Sequence, residues 1–350
     1  MKRTAYLGCA LLLTGALAGV PTFAQAPQAP TMSDDAAYTD FYNLPQADPK
    51  AKAEAGEKFI AIYPKSQYAD GVFRQTVSNY AKAGNWAKVL ELVGKTEQLF
   101  TTMTTENKAN MFAQGMNAAQ QAGNSAQIVS YGEKVLSASP NDLMTLITLS
   151  STIPSSTPQD KAAVTKAQGY AAKALTLTAT LDPKTLGMTD AIWASQKATI
   201  EGSLHTTLGS ISYNAQDYAK AEEHLVPATK ATPKEGTGWY LLGLVYNQQA
   251  SEISKTYGTA VAETNKLIKE KADQAQIDEL KAATGALQDN LRAKRDHAIE
   301  ALATAVACGG TTMAPAKTTL EKLWTTKNSG DMSGLDGFIN TKKQWLASQP

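Results

Sequence analysis

Two stretches decide the fold: Gly202-Ser203-Leu204-His205-Thr206-Thr207-Leu208-Gly209 and, one unit later, Gly236-Thr237-Gly238-Trp239-Tyr240-Leu241-Leu242-Gly243-Leu244-Val245-Tyr246. Leu208-Gly209 and Leu242-Gly243 stand 34 residues apart. Trp239, Leu242, Gly243 and Tyr246 follow the spacing W-x2-L-G-x2-Y. On a helix this puts the large side chains on one face and leaves Gly243 open to the close approach of a neighbour. Ala221, Leu225 and Ala228 continue the first unit at helical spacing, and Pro233 stops it. A helical pattern with this period predicts helix pairs that bury their apolar faces on one another in a stack.

These residues resemble the tetratricopeptide repeat family in kind and in spacing. The resemblance implies an all-α, right-handed superhelical solenoid of antiparallel helix pairs, about five to six repeats long, with a concave groove lined by the first helix of each pair. Residues 202–235 form one repeat, with its turn at Asn214 to Asp217. Upstream units are more degenerate. Residues 70–103 carry Phe73, Tyr80, the turn Gly84-Asn85-Trp86, Val89 and Val93; residues 109–142 carry Phe112, Ala119, the turn Gly123-Asn124, Ile128, Val135 and Pro140. Ala55, Phe59 and Ile62 before Pro64 read as the second helix of an incomplete first repeat. Residues 143–179 make another unit, with a long loop from Pro154 to Gln159. Leu181-Asp182-Pro183 marks a break before a long helix beginning near Thr189, either a boundary between two subarrays (46–180 and 181–310) or an insertion in one superhelix.

The unit at Gly236 departs from the pattern. Leu208 is followed 13 residues later by Ala221, whereas the matching Ala298, Leu302, Ala305 series begins 56 residues after Leu242, an excess of 43. Within residues 251–295, Ile253, Tyr257, Ala260, Thr264 and Leu267 on one arm and Ile277, Leu280, Leu287 and Leu291 on the other recur every three to four residues. That spacing predicts a protruding helical hairpin insertion, with Lys266, Lys269, Glu270, Asp278 and Glu279 in water. Residues 311–350 read as two capping helices, whose Leu320, Leu323, Trp324, Leu335, Phe338, Ile339 and Trp345 cover the open end of the stack. The run Leu320-Glu321-Lys322-Leu323-Trp324 with Gly334-Leu335-Asp336 is similar to the tail of secreted bacterial repeat proteins.

Lys2-Arg3, the apolar run to Val20 and Pro21 predict a signal peptide over 1–26, cleaved after Ala24 or Ala26, and a periplasmic or secreted product. A mobile mature terminus is expected over 27–45. The run is shorter than the ~20 residues of a membrane span, and no apolar run of that length follows, so no transmembrane segment is expected in the mature chain. Loss of the leader removes Cys9 and leaves Cys308 without an intramolecular partner; a cross-linked dimer is the one bridge open to it. It also removes Lys2 and Arg3, taking 33 basic residues to 31 against 32 acidic. Such a balance carries no basic stripe for nucleic acid.

Chemistry is sparse in the sequence. His205, His224 and His297 are scattered, with no metal spacing among them. His205 occupies the register of Trp239 and reads as a core-edge residue. Asp331 to Asp336 superficially resembles a calcium loop, but Leu335 stands where an oxygen ligand is required, so Asp331 reads as a turn residue. Glu222-Glu223 reads as a solvated face. No hydrolase elbow, phosphate loop or dinucleotide fingerprint occurs, so no catalytic residue, metal or cofactor is expected. The expectation is a non-enzymatic scaffold that docks a protein or peptide on the concave face. Under the family geometry that face presents Asn110, Asn117 and Gln121; Thr206, Ser210, Tyr213 and Asn214; and Tyr240, Leu244, Asn247 and Gln248, whose amides, hydroxyls and rings suit an extended peptide. The alternative is a self-associating component of the cell envelope, forming a homo-oligomer through 251–295.

Overall fold

The structure, a computed structural model, describes residues 32–100 and 103–349. The expected leader, 1–26, and residues 27–31 lie outside the described residues. Among the described residues the protein is all-α. The helices are α1 (Asp34–Asn43), α2 (Pro49–Ile62), α3 (Ala69–Lys82), α4 (Trp86–Gly94), the single turn α5 (Thr96–Leu99), α6 (Thr105–Gln121), α7 (Ser125–Ala138), α8 (Leu143–Ser156), α9 (Lys161–Thr180), α10 (Asp190–Asn214), α11 (Tyr218–Ala231), α12 (Gly236–Lys269), α13 (Gln274–Cys308), α14 (Met313–Lys327) and α15 (Leu335–Ala347). A short 3-10 turn, Pro183–Leu186, follows the predicted break, and Thr189 caps α10.

One turn chemistry recurs. At Gly84, Gly123 and Gln216 the backbone is left-handed, with φ of 69°, 66° and 61°. The next residue, Asn85, Asn124 or Asp217, donates its backbone N–H to the carbonyl five residues back at 2.9 Å, and its side chain then caps the following helix by accepting an amide three residues on. A left-handed residue closes the first helix and an Asx cap opens the second, so each pair is joined by the smallest turn that satisfies both ends. The connection from α12 to α13 spreads these roles over three residues: Lys271 is left-handed, Ala272 N–H bonds the Leu267 carbonyl at 3.1 Å, and Asp273 caps α13 by accepting from Ala275 N–H.

Extensive packing joins helices that are adjacent or next but one along the chain, apart from the contacts that span the single turn α5. Three of the first helices meet the next, α3 on α6, α8 on α10 and α10 on α12, while each second helix packs on the next first helix. Within two pairs the same contact recurs. A Cβ on Gly209 would lie 2.5 Å from Leu225, and a Cβ on Gly243 would lie 2.6 Å from Leu302, so both pairs depend on a bare α-carbon facing a buried leucine. The contacts span 16 and 59 residues, so the second pair holds 43 more residues between equivalent points.

Those residues lie in the distal halves of α12 and α13, which run antiparallel: Tyr246 meets His297 and Thr264 meets Thr284. Every residue assigned to the inner stripe is buried or half-buried, with Thr264, Ile277 and Leu291 the most enclosed, and the five named charges are exposed. At the C-terminal end Leu320, Leu335 and Ile339 close over Ile299, Leu302 and Val306. Trp345 is 40% exposed and meets Trp239 edge-on at 5.9 Å.

Two expectations need correction. In the span assigned to a mobile terminus, residues 34–43 form α1, which buries Phe41 against Phe59 and Val72 and stacks Tyr38 on Tyr68 at 4.0 Å. Lys52, 1% exposed, donates from Nζ to the carbonyls of Tyr42 and Leu44 at 3.1 Å each, satisfying groups that the end of α1 leaves open. Helix α2 ends at Ile62, before Pro64 as expected, and its buried stripe runs through Lys52, Ala53, Gly56 and Phe59. Helix α8 runs through Pro154 to Ser156, since a proline in the last turn deletes one hydrogen bond while Thr157 N–H still reaches the Ile153 carbonyl at 2.9 Å.

Candidate binding surface

Helices α10 and α12 carry two candidate sets in one register: Thr206, Ser210, Tyr213 and Asn214, and, 34 residues on, Tyr240, Leu244, Asn247 and Gln248. The helices pack directly, and Gly238 approaches the Thr206 hydroxyl. Of these residues Asn214 is exposed, and Ser210, Leu244, Asn247 and Gln248 are half-buried. The other three are half-buried as well. Thr206 Oγ1 donates to the Gly202 carbonyl at 2.8 Å. Tyr213 packs with Tyr218 against the Leu225–Leu242–Val245 cluster, and Tyr240 packs against the cluster of Leu302 and Leu320. Asn110, Asn117 and Gln121 are exposed on α6. That helix packs on α3, α4, α5 and α7, whereas α10 packs on α8, α9, α11 and α12, so the two groups occupy different stretches of the chain's packing order.

A polar network links α11, α12 and α13. Glu222 accepts from Gln249 Nε2 at 2.8 Å and from Lys294 Nζ at 2.9 Å, and the ammonium lies 4.9 Å from the centre of the Tyr246 ring. Glu222 is therefore a tie between helices, not part of a solvated face; the sequence hid this because its cation lies 72 residues away. Burial alone would raise its carboxyl, but the bonds from Gln249 and Lys294 outweigh that and hold it below the usual range. Burial pushes the Tyr246 phenol up to about 12, helped by the Glu222 charge. A carboxyl depressed in the folded chain stabilises it fully above its unfolded value, and that stability is lost as pH falls through the folded value. Glu222→Gln is expected to lower unfolding free energy by about 1 kcal/mol at pH 7, after solvent screening of a partly exposed pair. Urea titrations from pH 7 to pH 3 should show the difference from the parent shrinking at the acid end.

The fold also brings together two histidines that the sequence leaves scattered. His205 on α10 and His224 on α11 place their Nδ1 atoms 3.3 Å apart, with ring centroids at 5.5 Å. Burial lowers the pKa of both rings. His224 adds a second, repulsive push on His205, while the charges of Glu201 and Glu223 oppose the shift on His205 and His224 respectively. A separation of 19 residues across a helix–turn–helix has no fixed motif, so only the knowledge that Gly209 seats on Leu225 would have revealed the pair. His297 instead packs against the Tyr246 ring at 5.2 Å.

Two open clefts flank α13. One, of about 210 Å³, lies between α11, α12 and α13 and is lined by Val226, Trp239, Tyr246 and His297. The other, of about 420 Å³, lies between α13, α14 and α15, where Trp324 and Phe338 stand beside Asp296 and Glu300. Those carboxylates are paired, Asp296 with Lys327 and Glu300 with Lys342, each at 2.7 Å. Burial raises the Cys308 thiol to about 11, with Glu235 adding to the shift, so it stays protonated and slow to oxidise at neutral pH. Asp331 serves as a turn residue, accepting from Ser333 N–H at 2.7 Å and Oγ at 2.6 Å.

Among the described residues no group of three or more His, Cys, Asp or Glu side chains gathers to hold a metal, and no helix is long and apolar enough to cross a membrane. No protein-family model matches the chain. No curated protein matches it either.

Proposed function

We propose that this chain is an exported, non-catalytic interaction scaffold of the tetratricopeptide type: a right-handed solenoid of helix pairs, extended by a protruding hairpin over 251–295 and closed by the helices of 311–350. It docks an extended peptide or a protein along its first helices. The observation that carries this reading is the recurrence of one pair geometry, the Gly209–Leu225 and Gly243–Leu302 contacts with their shared turn chemistry, which sets α10 and α12 side by side with equivalent residues in register. Ser210, Asn214, Leu244, Asn247 and Gln248 supply amides and a hydroxyl for a peptide backbone and an apolar contact between them. Tyr213 and Tyr240 stand half-buried on the same two helices.

The test uses the mature protein as bait against envelope extract, beside an Asn214→Ala, Asn247→Ala, Gln248→Ala variant that leaves the packed tyrosines in place. A partner held by the parent and released at least ten-fold more readily by the variant is the expected result. Equal capture by both would move docking away from this face, and no capture together with a concentration-dependent mass in light scattering would favour self-association through the hairpin.

A further inference from the structure

We propose that the cleft between the end of α1 and one face of α3 is a saccharide site that takes a short sugar carrying one carboxylate. Gln75, Ser78, Asn79 and Lys82 stand at i, i+3, i+4 and i+7 on α3, so they share one face of the helix. With Tyr42, Leu44 and Gln46 they line an open cleft of about 380 Å³. That volume suits a small ligand of one or two rings.

Asn79 is the group that points to a ligand. It is 4% exposed, and among the described residues its side-chain amide has no hydrogen-bond partner. Lys52, Thr76 and Thr178, enclosed to a similar degree, each donate to backbone carbonyls. An amide held out of water without a partner costs stability until something completes it. Asn79 lines the cleft, so a polar ligand seated there supplies the missing bonds. The opposite wall is held in place. Lys52 bonds the carbonyls of Tyr42 and Leu44 at 3.1 Å each and fixes the end of α1 against α2, while the Tyr42 ring stays 61% exposed.

The lining selects the chemistry. Three carboxamides and a hydroxyl each donate and accept, as sugar hydroxyls do. The Tyr42 ring offers a flat apolar surface to the C–H face of a pyranose, with a polar tip at its edge. Among the described lining residues Lys82 is the one cation and no carboxylate occurs, so a single carboxylate on the sugar is matched and a cationic ligand is not. An extended peptide needs a longer groove with pockets for alternate side chains, and Leu44 is the one aliphatic residue among those described here.

Calorimetry on the full chain tests this with cellobiouronic acid, a disaccharide ending in glucuronic acid, and with cellobiose, which carries a hydroxymethyl group in place of that carboxylate. Saturable binding of the acidic disaccharide is expected, with cellobiose weaker by about five-fold or more. Tyr42→Ala and Asn79→Leu should each weaken the acidic sugar by about ten-fold or more. Lys82→Gln should bring it down to the level of cellobiose and leave cellobiose unchanged. Asn79→Leu replaces the unpaired amide with an apolar group of similar size, so Tm should hold or rise, which separates loss of the ligand from loss of the fold. Absence of saturable binding, equal affinity for the two sugars, or binding unchanged in both the Tyr42 and Asn79 variants would overturn the proposal. Trialanine binding more tightly than cellobiouronic acid would overturn it in favour of a peptide. A lowered Tm in Asn79→Leu, with binding intact in Tyr42→Ala and Lys82→Gln, would make Asn79 a structural group and overturn it as well.

Discussion

Gly243→Val is expected to destabilise the protein by about 2–3 kcal/mol, while Gly258→Ala, fifteen residues further along the same helix, is expected to stabilise it by about 0.5–1 kcal/mol. The opposite signs follow from what each new carbon meets. At Gly243 a Cβ would lie 2.6 Å from Leu302 Cγ and 3.2 Å from the Leu302 backbone nitrogen, so α13 itself must retreat. Leu302 is fully buried beneath the C-terminal cap, and the displacement opens gaps against Leu320 and Leu335. At Gly258 nothing lies within 4 Å, and the substitution only removes backbone freedom from the unfolded chain. Urea unfolding followed by circular dichroism reads both changes. Equal tolerance at 243 would mean that the close approach of α12 and α13 does not support the array.

Much of the all-α architecture was legible because turns and helix caps write themselves locally. Gly84-Asn85 and Gly123-Asn124 announce their turns, Thr189 and Asp217 announce the helices they cap, and the displaced Ala298–Leu302–Ala305 series measured an excess of 43 residues that the Gly243–Leu302 contact reproduces. What stayed hidden depends on contacts between helices. Docking of α1 rests on Lys52 reaching back across the chain to two carbonyls, and no periodicity encodes a side chain's bond to a distant backbone. Glu222 looked solvated because Lys294 lies beyond the long excursion of α12 and α13. The clusters that half-bury Tyr213 and Tyr240 could not be read either, because a helical wheel records one packed face and α10 and α12 pack on more than one side. The histidine pair was invisible for the same reason: its meeting point is set by glycines on one helix and by Leu225 and Thr232 on the other.

The second large effect concerns the excursion itself. Residue 250 corresponds to Gln216 and residue 294 to Asp217 when the two glycine–leucine contacts are superposed, so removing residues 251–293 should restore an ordinary helix pair. Ala250→Gly and Lys294→Asn give the new turn its left-handed residue and its cap. The distal halves pack mainly on each other, through Thr264, Ile277 and Leu291, so their loss deprives the rest of little. The cost comes from the Lys294 bond to Glu222 and from the rebuilt turn, about 1–2 kcal/mol together, which lowers Tm by less than about 5 °C in a chain of this size. The first measurement is therefore thermal unfolding of this deletion protein beside the full chain, with light scattering on the same samples. The account predicts a folded, highly helical protein with a nearly unchanged Tm and a mass reduced only by the deleted residues. An aggregated product, or one whose remaining helices have melted, would contradict a repeated helix pair with an extension grafted into it.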